Sequence, residues 1–182
     1  MEGKTRAGVP KAVTGNVIRD SSMGLVPETL DNFMGLHDAV WKCGSIGPAL
    51  IEVIRLRNAR TVNCVFCRSV RYDVAKRDGL TEDRVVQIED GYQDSSLSKK
   101  EKLALAFADV YLRDPHSFDP TLIKELRENF TAEQIAHMGL AVGTFNAASK
   151  CAVALAGMPE SLPVTEIPLP TRNHAPLAAK VA

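Results

Sequence analysis

Charge of one sign is never in excess in this chain: 22 Lys and Arg stand against 22 Asp and Glu. Such a balance leaves no electrostatic footprint for nucleic acid or an anionic membrane surface, so neither is expected as a main partner. No apolar run approaches the roughly 20 residues needed to span a bilayer. No apolar h-region of the kind a secretory leader carries follows Met1. A cytoplasmic location is the expectation. Gly-rich phosphate loops, nucleotide fingerprints and a Ser-His-Asp pattern are missing as well. Cysteine is sparse: Cys43, Cys64, Cys67 and Cys151 are too few for a disulfide scaffold at this length. A structural zinc site needs about four ligands, and neither a second Cys-x-x-Cys nor a His pair is present to supply them. No metal and no cofactor is expected.

What is present reads as one all-α domain over 1–182, long enough for a sizeable core. Residues 1–26 carry scattered Gly, Pro and Ser and read as an extended arm. Apolar spacing predicts a helix from Pro27 to Lys42, stopped by Gly44, and a second from Pro48 to about Arg60. A third is expected after Asn63, a good N-cap residue, running to Gly79. Thr81 caps a fourth, and Ser98 with Glu101 forms a capping-box pattern for a fifth. Asp119-Pro120 opens a short sixth. Thr131 and Gln134 repeat the capping-box logic for a last helix to about Ala156, poor in charge and rich in Ala and Gly. Such a helix is expected to be buried on most sides, in the core or against another subunit. Beyond Gly157, Pro159, Pro163, Pro168, Pro170 and Pro176 rule out a regular helix and predict an extended arm on the surface or around a neighbour. The helical core is thus 27–157, with the Pro-rich tail at 158–182.

Chemistry concentrates at Cys64-Val65-Phe66-Cys67. Two thiols at this spacing can close into a disulfide or share one thiolate, and a helix N-terminus favours the thiolate, the form that attacks peroxides and disulfides. Inert core thiols are the competing reading. Glu52 falls in the apolar run Leu50 to Ile54. It is either a buried carboxylate able to carry a proton near neutral pH or a solvated residue of a polar face. Arg71 lies one helical turn after Cys67, where a guanidinium could stabilise a thiolate; as a surface residue it would instead pair with Asp73 or Asp78. Tyr72 follows as an accessory candidate. Cys43 and Cys151 read as core filler. His37 reads as a satisfied core histidine and His137 as a candidate that could approach the cysteines from the last helix. His116 and His174 default to surface.

Glu52, then twelve positions on Cys64-x-x-Cys67, on a helical chain of this size, resembles the carboxymuconolactone decarboxylase and alkylhydroperoxidase D family. The resemblance covers roughly 27–157, including Ile54-Arg55-Leu56-Arg57-Asn58-Ala59. It implies an orthogonal bundle of about six to seven helices, trimers or hexamers, and thiol-disulfide reduction of hydroperoxides with an external thiol or dithiol as electron donor. Glu52, Cys64 and Cys67 fall on the family's catalytic positions. The family's redox members carry a His four residues after the second Cys, and Arg71 stands there. Phe66 occupies a position between the cysteines that can also be His. A guanidinium holds charge but shuttles no proton, so the proton path implied by the family has to run through Glu52 with a water, or through Tyr72. A lyase or hydrolase acting on a small lactone or carboxylic acid without redox is the alternative the family offers.

Overall fold

Proline and polar side chains set most of the helix starts. The computed structural model describes residues 5–156 and 158–169. These hold α1 (Pro27–Lys42), α2 (Pro48–Thr61), α3 (Val65–Ser69), α4 (Asp73–Arg77), α5 (Glu82–Val85), α6 (Lys99–Arg113), α7 (Pro120–Asn129) and α8 (Ala132–Ala156), with two short strands, β1 (Val70–Tyr72) and β2 (Thr165–Ile167). Pro27, Pro48 and Pro120 sit in first turns, where their missing N–H costs nothing. Ser98 and Glu101 form the full reciprocal capping box. Asp119 accepts from the N–H groups of Thr121 and Leu122. Thr131 and Gln134 exchange side-chain and backbone bonds at 3.2 and 3.0 Å. Thr81 takes the N-cap conformation ahead of α5 without a side-chain bond.

At the centre lies α2. Every residue from Ile51 to Ala59 is buried, and the helix packs on α6 and α8. Its charged residues therefore have to be paired. Glu52 pairs with Arg55, and Arg57 with Asp109 and Asp90. The last helix is less enclosed than its composition suggests. It buries one face, with His137, Met138, Ala141, Val142, Phe145 and Ser149 at helical spacing, and leaves Leu140 62% exposed. By length and composition alone residues 132–155 could cross a bilayer, a test that core helices also pass.

The expected third helix is broken. α3 ends at Ser69, the chain extends as β1, and helix resumes as α4, which makes eight α-helices among the described residues instead of six or seven. The cause lies in α2. In a continuous helix the Cys67 and Val70 carbonyls would accept from residues four further on. Here Arg55 donates to both, at 2.8 and 2.7 Å, and Tyr72 gives its backbone N–H to Glu52 at 3.3 Å. A second cause is the tail. β2 pairs with β1 in parallel, Val70 opposite Thr165 and Tyr72 opposite Ile167. The Pro-rich arm thus lies along its own chain as far as residue 169; Pro170 and Pro176 fall outside the described residues. At the other end the N-terminal arm follows α8, with Arg6 donating from its N–H to the Leu155 carbonyl at 2.8 Å.

Candidate active site

The cysteine turn begins where α2 stops. Asn63 adopts the left-handed conformation, φ 56°, which Asn tolerates better than most residues. Around it the Cys64 N–H bonds to the Ala59 carbonyl and the Asn63 N–H to that of Arg60, a Schellman ending. Asn63 therefore closes α2 rather than capping the next helix. Cys64 is itself the N-cap of α3, its sulfur accepting the Cys67 N–H at 3.2 Å. The two cysteines are joined as a disulfide, with Cα atoms 5.3 Å apart. Cys64 is fully buried, while Cys67 is half-buried and lines a cavity.

Beneath the turn sits the Glu52–Arg55 pair. Arg55 Nε and Nη2 bind the two carboxylate oxygens at 2.6 Å each. The guanidinium also lies 4.9 Å from the Tyr72 ring centre. Burial works to lower the Arg55 pKa, but the Glu52 charge and hydrogen bonds override it and hold the group above its ordinary value. Glu52 is thus buried rather than on a solvated helix face, and its connection to the cysteine turn runs through Arg55 and the Tyr72 N–H. Burial pushes the Tyr72 phenol up to about 12, with Arg55 opposing and Glu52 adding, so at neutral pH Tyr72 keeps its proton.

Above the turn is a polar chain built from Asn146, Asn58 and Ser149, none of them a candidate site residue in the sequence. Asn146 Nδ2 donates to Asn58 Oδ1 at 3.0 Å, Asn58 Nδ2 to Ser149 Oγ at 2.9 Å, and the Ser149 hydroxyl to Cys67 Sγ at 3.4 Å. Asn58 comes from α2 and the other two from α8. No local motif announces this juxtaposition.

Cys67 opens onto a cavity of about 520 Å³, lined mainly by apolar side chains that include Phe33, Met34, Phe66 and Phe145. The N-terminal arm contributes Val9, Val17 and Met23, and the tail contributes Leu162, Pro163 and Ile167. His37 lies in the same wall. Its Nε2 accepts from Trp41 Nε1 at 3.4 Å, and its Nδ1 is buried without a partner, so it is not the fully satisfied core histidine expected. Burial pushes its imidazole down to about 4, with Arg55 adding and Asp38 opposing.

A pH dependence follows from the buried imidazole. Between pH 4 and the ordinary 6.5 the unfolded chain binds a proton at His37 that the folded chain refuses. The resulting stability is fully present above pH 6.5 and is lost as pH falls towards 4, by about 3 kcal/mol. His37→Gln, which can still accept from Trp41, is expected to reduce the stability difference between pH 7.5 and 4.5 by about 2–3 kcal/mol in urea denaturation. An unaltered difference would remove His37 as the source.

Other sequence candidates lie elsewhere. With the helix broken after Ser69, Arg71 no longer follows Cys67 on one helical face. Its guanidinium binds Glu82 at 2.8 and 3.2 Å and the carbonyls of Arg68 and Val70. It lines a second cavity, of about 630 Å³, with Glu52, Tyr72 and Glu82. His137 bonds through Nδ1 to Ser45 Oγ at 2.6 Å and through Nε2 to the Val40 carbonyl at 2.7 Å, tying α8 to the end of α1. Cys43 and Cys151 are exposed free thiols rather than core filler. Cys151 sits on the open side of α8 and edges the Cys67 cavity. Among the described residues no group of three or more His, Cys, Asp or Glu is placed to hold a metal.

Fold and site together define a helical protein with an internal cysteine pair at the wall of an apolar cavity sized for a small organic molecule. Residues 27–110, a little under half of the chain, match the model of the carboxymuconolactone decarboxylase family, the same family that Glu52, Cys64 and Cys67 resemble. An uncharacterised protein of Mycobacterium tuberculosis is 28% identical over 143 residues, covering 79% of this chain and 49% of its own length. The chain thus spans about half the length of that curated relative. Among solved structures, an alkylhydroperoxidase AhpD core, an uncharacterised peroxidase-related protein from Ralstonia eutropha, superposes with a TM-score of 0.66 at 19% identity, covering 76% of this chain and 75% of its own. The debrominase Bmp8, in complex with 2,3,4-tribromopyrrole, gives 0.64 at 20% identity, covering 75% and 73%. At these identities the likeness is one of fold.

Proposed function

We propose that the protein is a thiol-dependent oxidoreductase that reduces hydroperoxides through Cys64 and Cys67. The observation that carries this reading is the accessibility of the pair: Cys67 faces an apolar cavity while Cys64 is buried behind it in disulfide contact. The Cys67 thiolate attacks the terminal oxygen of ROOH. The O–O bond breaks, Cys67 becomes a sulfenic acid, and RO⁻ leaves and takes a proton from water. The Cys64 thiolate, its proton given to solvent, then attacks the Cys67 sulfur. The S–S bond forms, and hydroxide leaves and is protonated to water. An external dithiol returns two electrons and two protons. The sum is ROOH plus dithiol giving ROH, water and the donor's disulfide. Glu52 and Arg55 act as positioning residues that fix the turn carrying the pair.

The apolar wall favours an organic R group over bare hydrogen peroxide. A dithiol donor places the protein in a reducing compartment, the cytoplasm being the natural one. Trimers or hexamers would cover the open face of α8 around Leu140.

Mass measurement of the reduced protein before and after one equivalent of cumene hydroperoxide tests the reading. A loss of two hydrogens localised to the Cys64–Cys67 peptide is expected, with Cys43 and Cys151 still alkylatable. Unchanged mass at that peptide would sink it. A second reading, a lyase, hydrolase or dehalogenating reaction in the same cavity, draws on the debrominase fold neighbour and the aromatic-sized apolar space. Turnover that survives the Cys64→Ser, Cys67→Ser double change would favour a version of it without thiol chemistry.

A further inference from the structure

We propose that Ser149 is a catalytic residue of this site, its hydroxyl supplying the hydrogen bond that holds Cys67 as a thiolate where Arg71 stands four residues on in place of a histidine. This rests on the reading of Cys67 as the attacking thiol. A reactive cysteine needs a cation or a donor close to its sulfur. Arg68, next to Cys67 in sequence, is exposed, and Arg71, four residues on, is committed to Glu82 and to two backbone carbonyls. His137 is committed to Ser45 and Val40. The side-chain donor in contact with Cys67 Sγ is Ser149 Oγ, at 3.4 Å, from a residue only 3% exposed.

The direction of the chain behind Ser149 follows from the sulfur. A thiolate only accepts, so Ser149 has to spend its single proton on it. Ser149 Oγ then has lone pairs to offer, and Asn58, 0% exposed, fills one with its amide N–H at 2.9 Å. That leaves Asn58 Oδ1 as an acceptor, which Asn146 Nδ2 satisfies at 3.0 Å. Every bond points towards Cys67, and bonds aligned in this way polarise one another in a low-dielectric interior. Ser149 exchanges no proton. It stabilises the charged sulfur, and Asn58 and Asn146 position it. Asn146 and Ser149 lie three apart on α8, so one helix face delivers both.

The test uses the full chain carrying Cys43→Ser, Cys64→Ser and Cys151→Ser, so that Cys67 is the one thiol. Its pKa is read from the pH dependence of alkylation by iodoacetamide in the folded protein. With Ser149 intact the value is expected below the ordinary value of about 8.5. Ser149→Ala is expected to raise it by about one to two units, the worth of one hydrogen bond to a charged group. Ser149→Thr, which keeps the hydroxyl, is expected to restore most of the shift. A Cys67 pKa at or above the ordinary value with Ser149 intact overturns the proposal, even if Ser149→Ala fails to fold. An equal pKa with and without the Ser149→Ala change overturns it too. Cumene hydroperoxide consumption by the unaltered protein is assayed separately. No consumption with a Ser149-dependent pKa defeats the peroxidase reading and leaves the thiolate assignment standing. Consumption with a Ser149-independent pKa defeats the assignment alone.

Discussion

Cys67→Ser is expected to lower thiol-dependent hydroperoxide consumption by on the order of 10³-fold or more, because a serine hydroxyl at neutral pH offers almost no anion to attack with. Cys64→Ser is expected to abolish turnover in a different way. Cys67 still reacts once, its sulfenic acid finds no resolving thiol, and the protein stalls after one equivalent. A 1,3-diketone probe should then label Cys67 in the Cys64→Ser protein and leave Cys64 unlabelled in the Cys67→Ser protein. The order follows from burial. Cys64 is closed off as the N-cap of α3, and Cys67 is the sulfur in the cavity wall. The helix N-terminus alone would favour Cys64, but a thiolate that no substrate can reach does not initiate. Labelling of Cys64 in the Cys67→Ser protein would reverse the assignment.

Arg55→Leu is expected to destabilise the fold by about 3–5 kcal/mol, among the largest single-residue effects available here. The side chain is 6% exposed and its carboxylate partner 1%. Removing the guanidinium strands a charge in the centre of α2 and leaves the Cys67 and Val70 carbonyls without their donor. The Glu52→Gln, Arg55→Met double variant is expected to recover part of the loss, since breaking a buried pair costs more than replacing it. Chemical denaturation of the single and double variants measures both. A loss below about 1 kcal/mol for Arg55→Leu would mean that water reaches Glu52 and that the pair does not govern the turn.

The parts legible in the sequence were local. Ser98 with Glu101, Asp119 with Pro120 and Thr131 with Gln134 each need only their own few residues to cap a helix, and each does so. Glu52, Cys64 and Cys67 could be named because their spacing is itself a pattern. What stayed hidden depends on partners distant in the chain. The helix expected over 64–79 has acceptable local propensity, but Arg55, Glu52 and β2 each claim backbone groups it would have used. The placing of Arg71 rested on that helix and went with it. Ser149 touches Cys67 because α2 and α8 cross, which no periodicity in either helix announces. Composition does not say what covers α8 for a related reason: Ala and Gly suit a helix packed within its own chain and one packed against another subunit alike.

The pairing of β1 with β2 also bears on how the protein is made. Val70 leaves the ribosome well before its partner Thr165, which lies far along the chain. Contacts so distant in sequence form late in folding. Leu162, Pro163 and Ile167, which wall the cavity beside Cys67, arrive with that late strand. During synthesis the cysteine turn therefore exists for a time as an open groove, reachable by any small thiol or oxidant in its surroundings, and the selectivity of the finished cavity is acquired only when the tail docks.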